Sequence, residues 1–293
     1  MLVWLCVFVR VVANPFSNVF QKLLTRQFAH ALSIVCVTHG LLTVACVPFL
    51  AVSLPPVSFE FWSNISVSAL LCVAGNVLIV LALENSDLSV LGPINAYKSV
   101  ISLIPGMILL AEFPGLLGLI GIGLIIVGSY FLLDQKSQES GATAMKRFFT
   151  DRGIQYRLAA LVFSALEAVY LKKALRASSS TTAFAYWCVL GFVISLATVA
   201  VLLRREQSAR NLRIFRKNGL TVFLLAVTTG LMQLCTLFVL EYLKVGYALA
   251  LFQTSTLISV LLGYHLFQEP HLLKRLTGSA IMVMGAILII VAK

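Results

Sequence analysis

Residues Ser99 to Leu133 read SVISLIPGMILLAEFPGLLGLIGIGLIIVGSYFLL. Two apolar runs flank a short break at Glu112 to Pro114, and Gly121 and Gly128 stand two helical turns apart, on one face of the second run. No strand precedes these glycines, so close packing of helices explains them better than a phosphate-binding loop.

The pattern returns further along the chain. An offset of 157 positions pairs Glu84 with Glu241, Ser102 with Ser259, Gly106 with Gly263, Glu112 with Glu269, Gly121 with Gly278 and Gly128 with Gly285, without a gap. A weaker echo joins VFQK, Val19 to Lys22, to VYLK, Val169 to Lys172. The chain is therefore a tandem repeat.

The material of the repeat is hydrocarbon-like. Hydrophobic residues make up 60% of the 293 and charged residues only 11%, with a mean hydropathy of +0.98. A soluble domain carries about 25% charge, so an integral membrane protein is expected. A helical span needs about 20 apolar residues, and breaks at charge clusters, Pro and Gly divide the chain into ten. The first five run from 2 to 22, 31 to 52, 62 to 83, 88 to 111 and 114 to 133. The second five run from 156 to 174, 181 to 203, 219 to 240, 246 to 267 and 272 to 292.

MLVWLCVFVRVVA lacks a charged leader and carries Arg10, so it reads as a first span rather than a cleaved signal. The organisation expected is a first repeat over 1–133, a polar linker over 134–154 and a second repeat over 155–293. Five spans per unit is odd, so the second unit enters the membrane upside down. The fold class is all-α, with ten transmembrane helices as a 5+5 inverted repeat, an architecture common among secondary transporters.

The stretches ALFQTSTLISVLLGYHLFQEP (Ala250 to Pro270) and LTGSAIMVMGAILII (Leu276 to Ile290), with their first-half partner quoted above, closely resemble EamA-type permeases of the drug/metabolite transporter superfamily. The resemblance covers nearly the whole chain. It implies a ten-helix inverted repeat that moves small metabolites, with a glutamate-then-glycines signature in each half, here at Glu112 and Glu269. The solute is left open, since members and relatives carry amino acids, nucleotide sugars, sugar phosphates or cofactors.

Three charges fall well inside expected spans: Arg10, Lys98 and Glu167. Each costs at least about 2.5 kcal/mol at mid-bilayer if it faces lipid, so each should face a cavity or a partner. Lys98 has two readings. It contacts an anionic group of the solute, or it pairs with Glu167 to hold the halves in register. Gly92-Pro93 and Pro105-Gly106 interrupt its helix, as happens where sites form. Relatives that carry nucleotide sugars and sugar phosphates are similar in placing a lysine here, which favours an anionic solute. Glu167 is a coupling carboxylate or a counter-ion. Arg10 binds an anion or reaches to one interface.

The uncharged polar candidates are Asn95 and Tyr97 beside the lysine, Asn14 in the first span, and Gln253, Thr254 and Ser255, with Asn76 and Gln233 as further lining. The repeat maps Tyr97 and Lys98 onto Thr254 and Ser255, placing a charged patch opposite a hydroxyl patch. Glu112 and Glu269 precede the fifth and tenth spans and read as partners of those helix dipoles. The histidines include His39 and His265, read as polar lining.

Other classes find less support. The 22 basic residues against 11 acidic ones lie mostly in short connections, where they serve topology and lipid headgroups rather than nucleic acid. No HExxH, GxSxG or CxxC occurs, and the six cysteines sit in apolar runs, so no catalytic residue, metal site or cofactor is expected and the protein reads as no enzyme. A flippase for a lipid-linked sugar phosphate is the second transport reading, and an enzyme acting on a lipid phosphate the rival from another class. Expected partners are a small-molecule metabolite and membrane lipids, with a homodimer as candidate assembly. Short connections suggest a bacterial inner membrane. Positive charge is concentrated in loops that follow odd-numbered spans, which places both termini outside, whereas the family resemblance implies cytoplasmic termini.

Overall fold

The structure is a computed structural model describing residues 2–52, 57–86, 91, 94, 97–132, 150–267 and 272–291. Twelve helices and no strand form among them. The first half contains α1 (Leu2–Arg26), α2 (Ala31–Val52), α3 (Phe59–Asn85), α4 (Tyr97–Leu110) and α5 (Leu116–Leu132). The second contains α6 (Arg152–Arg176), α7 (Ser180–Leu202), α8 (Arg205–Lys217), α9 (Gly219–Tyr242), α10 (Val245–Phe252), α11 (Ser255–Phe267) and α12 (Leu272–Val291).

Composition explains the choice of helix. In hydrocarbon each backbone N–H and C=O must be satisfied without water, and a helix does so within its own segment. Among the described residues six helical stretches are long and apolar enough to cross a membrane: α1, Ala31–Pro48, α3, α7, α9 and Val245–Leu266. Tyr97–Leu110 and Leu116–Gly128 are shorter apolar helices. Starts are fixed by capping side chains: Ser58 accepts from Phe61 N–H at 3.2 Å, Asp151 from Ile154 N–H at 2.9 Å and Ser179 from Thr182 N–H at 3.3 Å. Large apolar side chains are left on the outside, among them Phe8, Ile108, Leu116 and Val201, as a lipid-facing surface requires.

Two departures from the sequence expectation stand out. The stretch expected as one span over 246–267 is two helices, because a turn at Gln253 and Thr254 interrupts it. Their side chains compensate: Gln253 Nε2 donates to Leu249 O at 3.0 Å and Thr254 Oγ1 to Leu251 O at 2.7 Å. The polar run after α7, expected as a loop, folds into α8. The linker from 134 to 149 and Asn95 lie outside the described residues.

The repeats interlock. Arg10 and Ser17 of α1 meet Thr236 and Thr229 of α9, so numbers rise on one helix as they fall on the other and the two run antiparallel. The repeat-related pair, α3 with α6, is joined by Ser68 to Glu167 O and by Ser86 to Asp151, again antiparallel. Helices α5 and α12 also cross antiparallel, with Gly121 against Gly285 and Gly128 against Gly278. A Cβ on Gly121 would lie 2.7 Å from Gly285 O, and one on Gly128 would lie 2.6 Å from Gly278 O. These glycines therefore permit backbone-to-backbone approach.

Candidate functional site

A cavity opens between the two interlocked pairs, lined by α1, α3, α4, α6, α7, α9 and α10. Each long helix gives it one stripe at helical spacing. Helix α1 contributes Arg10, Asn14, Ser17, Asn18 and Gln21, at intervals of four, three, one and three residues. Helix α3 contributes Cys72, Gly75, Asn76 and Ile79; α6 contributes Arg157, Ser164, Glu167 and Leu171; α9 contributes Thr229, Met232, Gln233 and Thr236. Lys98 of α4, Trp187 of α7 and Leu249 of α10 complete the wall.

The charges are unequal: Arg10, Lys98 and Arg157 against Glu167. Arg10 Nε donates to Thr236 Oγ1 at 2.8 Å, and its guanidinium lies 4.7 Å from the ring centre of Phe252. Glu167 Oε1 accepts from Trp187 Nε1 at 3.4 Å. Arg10 and Lys98 both lie within electrostatic range of Glu167, and Lys98 within range of Arg157. The direct ion pairs formed among the described residues are Lys172 with Glu112 and Arg176 with Glu112. Lys98 and Glu167 thus face one cavity without direct ion-pair contact.

Several buried polar atoms here have no hydrogen-bond partner among the described residues. They are Arg10 Nη1, Arg157 Nε, Gln21 Oε1 and Gln233 Nε2. Buried polar groups are normally satisfied, so a cluster of unsatisfied ones around a cavity, most of them donors, is a cluster waiting for acceptors.

The EamA-like transporter family model matches residues 2–134 and again residues 151–291, once per repeat. The chain belongs to this family. It is an EamA-type, multi-pass integral membrane protein of the drug/metabolite transporter superfamily, a transporter family. No curated protein matches. One solved crystal structure matches 98% of this chain and 99% of its own at 13% identity, with a TM-score of 0.67. At that identity the likeness shows the fold alone.

In this EamA protein the residues expected at the site separate into two groups. Arg10, Asn14, Lys98 and Glu167 line the cavity, as do Asn76 and Gln233. Ser255 stands behind Asn14 and accepts from its Nδ2 at 3.1 Å. Tyr97 is half-buried against the cluster of Ile94, Ile154 and Leu161, while Gln253 and Thr254 bond carbonyls of the interrupted helix. Asn95 lies outside the described residues. His39 is buried behind the wall, its ring centre 4.7 Å from that of Trp187.

Arg157 escaped the sequence reading. It lies beside Asp151 and Arg152 and looks like the flank of a span, yet α6 begins at Arg152 and carries Arg157 inward to 5% exposure. Ser17, Asn18 and Gln21 also went unread, although their spacing from Arg10 and Asn14 is a signal present in the sequence.

A charged knot ties helix ends together at one end of the bundle. Lys172 Nζ meets Glu112 Oε1 at 2.5 Å and donates to Leu243 O at 2.5 Å. Arg176 Nη2 donates to Leu110 O at 3.0 Å, and Val245 N–H donates to Glu112 Oε2 at 2.7 Å. The helix start that Glu112 serves is therefore that of α10, where sequence order pointed to the helix just after it. Folding brings Val245 to the carboxylate, a proximity invisible in the chain.

Proposed function

We propose that the protein is a secondary transporter that moves a small, polar, anion-bearing metabolite by alternating access, crossing the membrane ten times as a 5+5 inverted repeat. The observation that carries this reading is the charge and hydrogen-bond imbalance of the cavity. Among the described residues three cations face one carboxylate, and Arg10 Nη1 and Arg157 Nε are buried without acceptors. An anionic group on the solute supplies the missing charge and acceptors, while Asn14, Asn18, Asn76 and Gln233 serve its neutral polar groups. In this reading Lys98 and Arg157 recognise the anion, and Glu167 limits the cavity's charge when it is empty.

Alternation is supported by the repeat. Lys172 and Arg176 meet Glu112 at one end of the bundle, and the two sequence echoes make Lys22, Arg26 and Glu269 their counterparts in the other repeat. The bacterial inner membrane is the setting that short connections between spans favour.

The test is thermal unfolding of detergent-purified protein against a panel of metabolites, on wild type, Lys98→Met and Arg157→Gln, since a ligand bound only to the folded state raises its melting temperature. Anionic compounds should stabilise the wild type, and each folded variant should respond less. Equal stabilisation of all three proteins, or stabilisation by neutral and cationic compounds alone, would sink the proposal.

A further inference from the structure

Among the described residues, helix α8 gives the cavity no lining and has no counterpart in the first repeat. It joins the end of α7 to the start of α9 with hardly a residue to spare on either side, so it is held at one end of the bundle. Its inner face is fixed to the protein. Asn211 Nδ2 donates to Ser33 Oγ at 2.8 Å and Asn211 Oδ1 accepts from His30 N–H at 3.3 Å. Phe215 is buried among Leu24, Ile34 and Leu225. The helix thus lies across the α1–α2 turn, where the long apolar helices end.

Its outer face is cationic. Arg205, Arg210, Arg213, Arg216 and Lys217 are all exposed, and Glu206 is the one acidic residue of the helix. At helical spacing Arg205, Ala209, Arg213 and Arg216 share the side opposite Asn211 and Phe215. Exposed Leu212, Phe28 and Leu220 edge this surface. The composition is therefore layered: an apolar and amide face toward the protein, a guanidinium-rich face away from it, and apolar side chains at its edges.

We infer that α8 is an interfacial platform that binds anionic phospholipid headgroups of the leaflet at that end of the bundle. Two arguments choose this occupant. A helix lying across the ends of membrane-spanning helices, with exposed apolar edges, sits at headgroup depth, where phosphates are the abundant anions. Guanidinium forks suit phosphate oxygens in paired hydrogen bonds, and four of the five outward cations are arginine. The inference does not depend on the cavity's solute.

The experiment compares full-length protein in micelles doped with phosphatidylglycerol or with phosphatidylcholine of the same chains, reading melting temperature against lipid concentration. Wild type should bind phosphatidylglycerol preferentially. The variant with R205Q, R210Q, R213Q, R216Q and K217Q together should need at least roughly tenfold more of it. A fluorophore on Ala209→Cys, in otherwise intact protein, should be quenched more by headgroup-labelled phosphatidylglycerol than by the labelled phosphatidylcholine. That reading stands even if the neutralised variant folds poorly. Equal response to the two lipids, or unchanged preference in the neutralised variant, overturns the inference. So does an equal shift with inorganic phosphate or a short RNA at matched phosphate, which would mark a generic anion patch.

Discussion

Gly121 and Gly285 meet across the antiparallel contact of α5 and α12 so closely that a Cβ on either would come within 2.7 Å of the other's carbonyl oxygen. The repeat carries this contact onto its twin, Gly128 with Gly278, so one crossing holds two equivalent close approaches. The backbones, rather than flexible side chains, are the obstacle.

Alanine at Gly121 or Gly128 should therefore separate the helices. The expected cost is about 1–3 kcal/mol each, the range for overpacking, read as a lower melting temperature in detergent. Gly123 has open space where a Cβ would stand, so Gly123→Ala should change stability by less than about 1 kcal/mol.

Glu112 and Lys172 are about one-tenth exposed and bonded to each other. Removing one partner of such a pair costs about 3–5 kcal/mol because the other charge stays buried. Glu112→Gln should be strongly destabilising in thermal unfolding, and adding Lys172→Met should recover much of the loss. Purely additive effects would show the two side chains to be independent.

Glu167 opposes the cavity's cations. Glu167→Gln keeps its shape and removes that opposition, so an anionic ligand found by the thermal screen should bind roughly tenfold more tightly. Unchanged affinity would place Glu167 out of the ligand's reach.

Asn211 is the polar anchor of α8, bonded to both Ser33 and the His30 backbone. Asn211→Ala strands buried partners and should cost about 1–3 kcal/mol. Hydrogen exchange should rise first in α8 and the α1–α2 turn, leaving the α5–α12 crossing protected.

The membrane class, the repeat and the helix-packing glycines were legible in the sequence because each is a matter of composition or spacing along one chain. Arg10, Asn14, Lys98 and Glu167 were legible because a charge or amide within an apolar run must face something polar. Arg157 was not, since a cation near a span boundary reads as a topology signal until the start of the helix is fixed at Arg152. Helix α8 went unread because its partners, Ser33 and the His30 backbone, lie far away in sequence.

By itself, then, the sequence determined the solvent of this protein, its all-helical character and the correspondence between its halves, since continuous apolar runs of about 20 residues span hydrocarbon as helices and identical spacings repeat. Only the tertiary structure decided which polar residues converge. The antiparallel α1–α9 and α3–α6 pairs turn four separate stripes toward one cavity, and the fold brings Glu112 to Val245 across 133 residues of sequence. Convergence depends on crossing geometry and on contacts between distant segments, which no local spacing encodes.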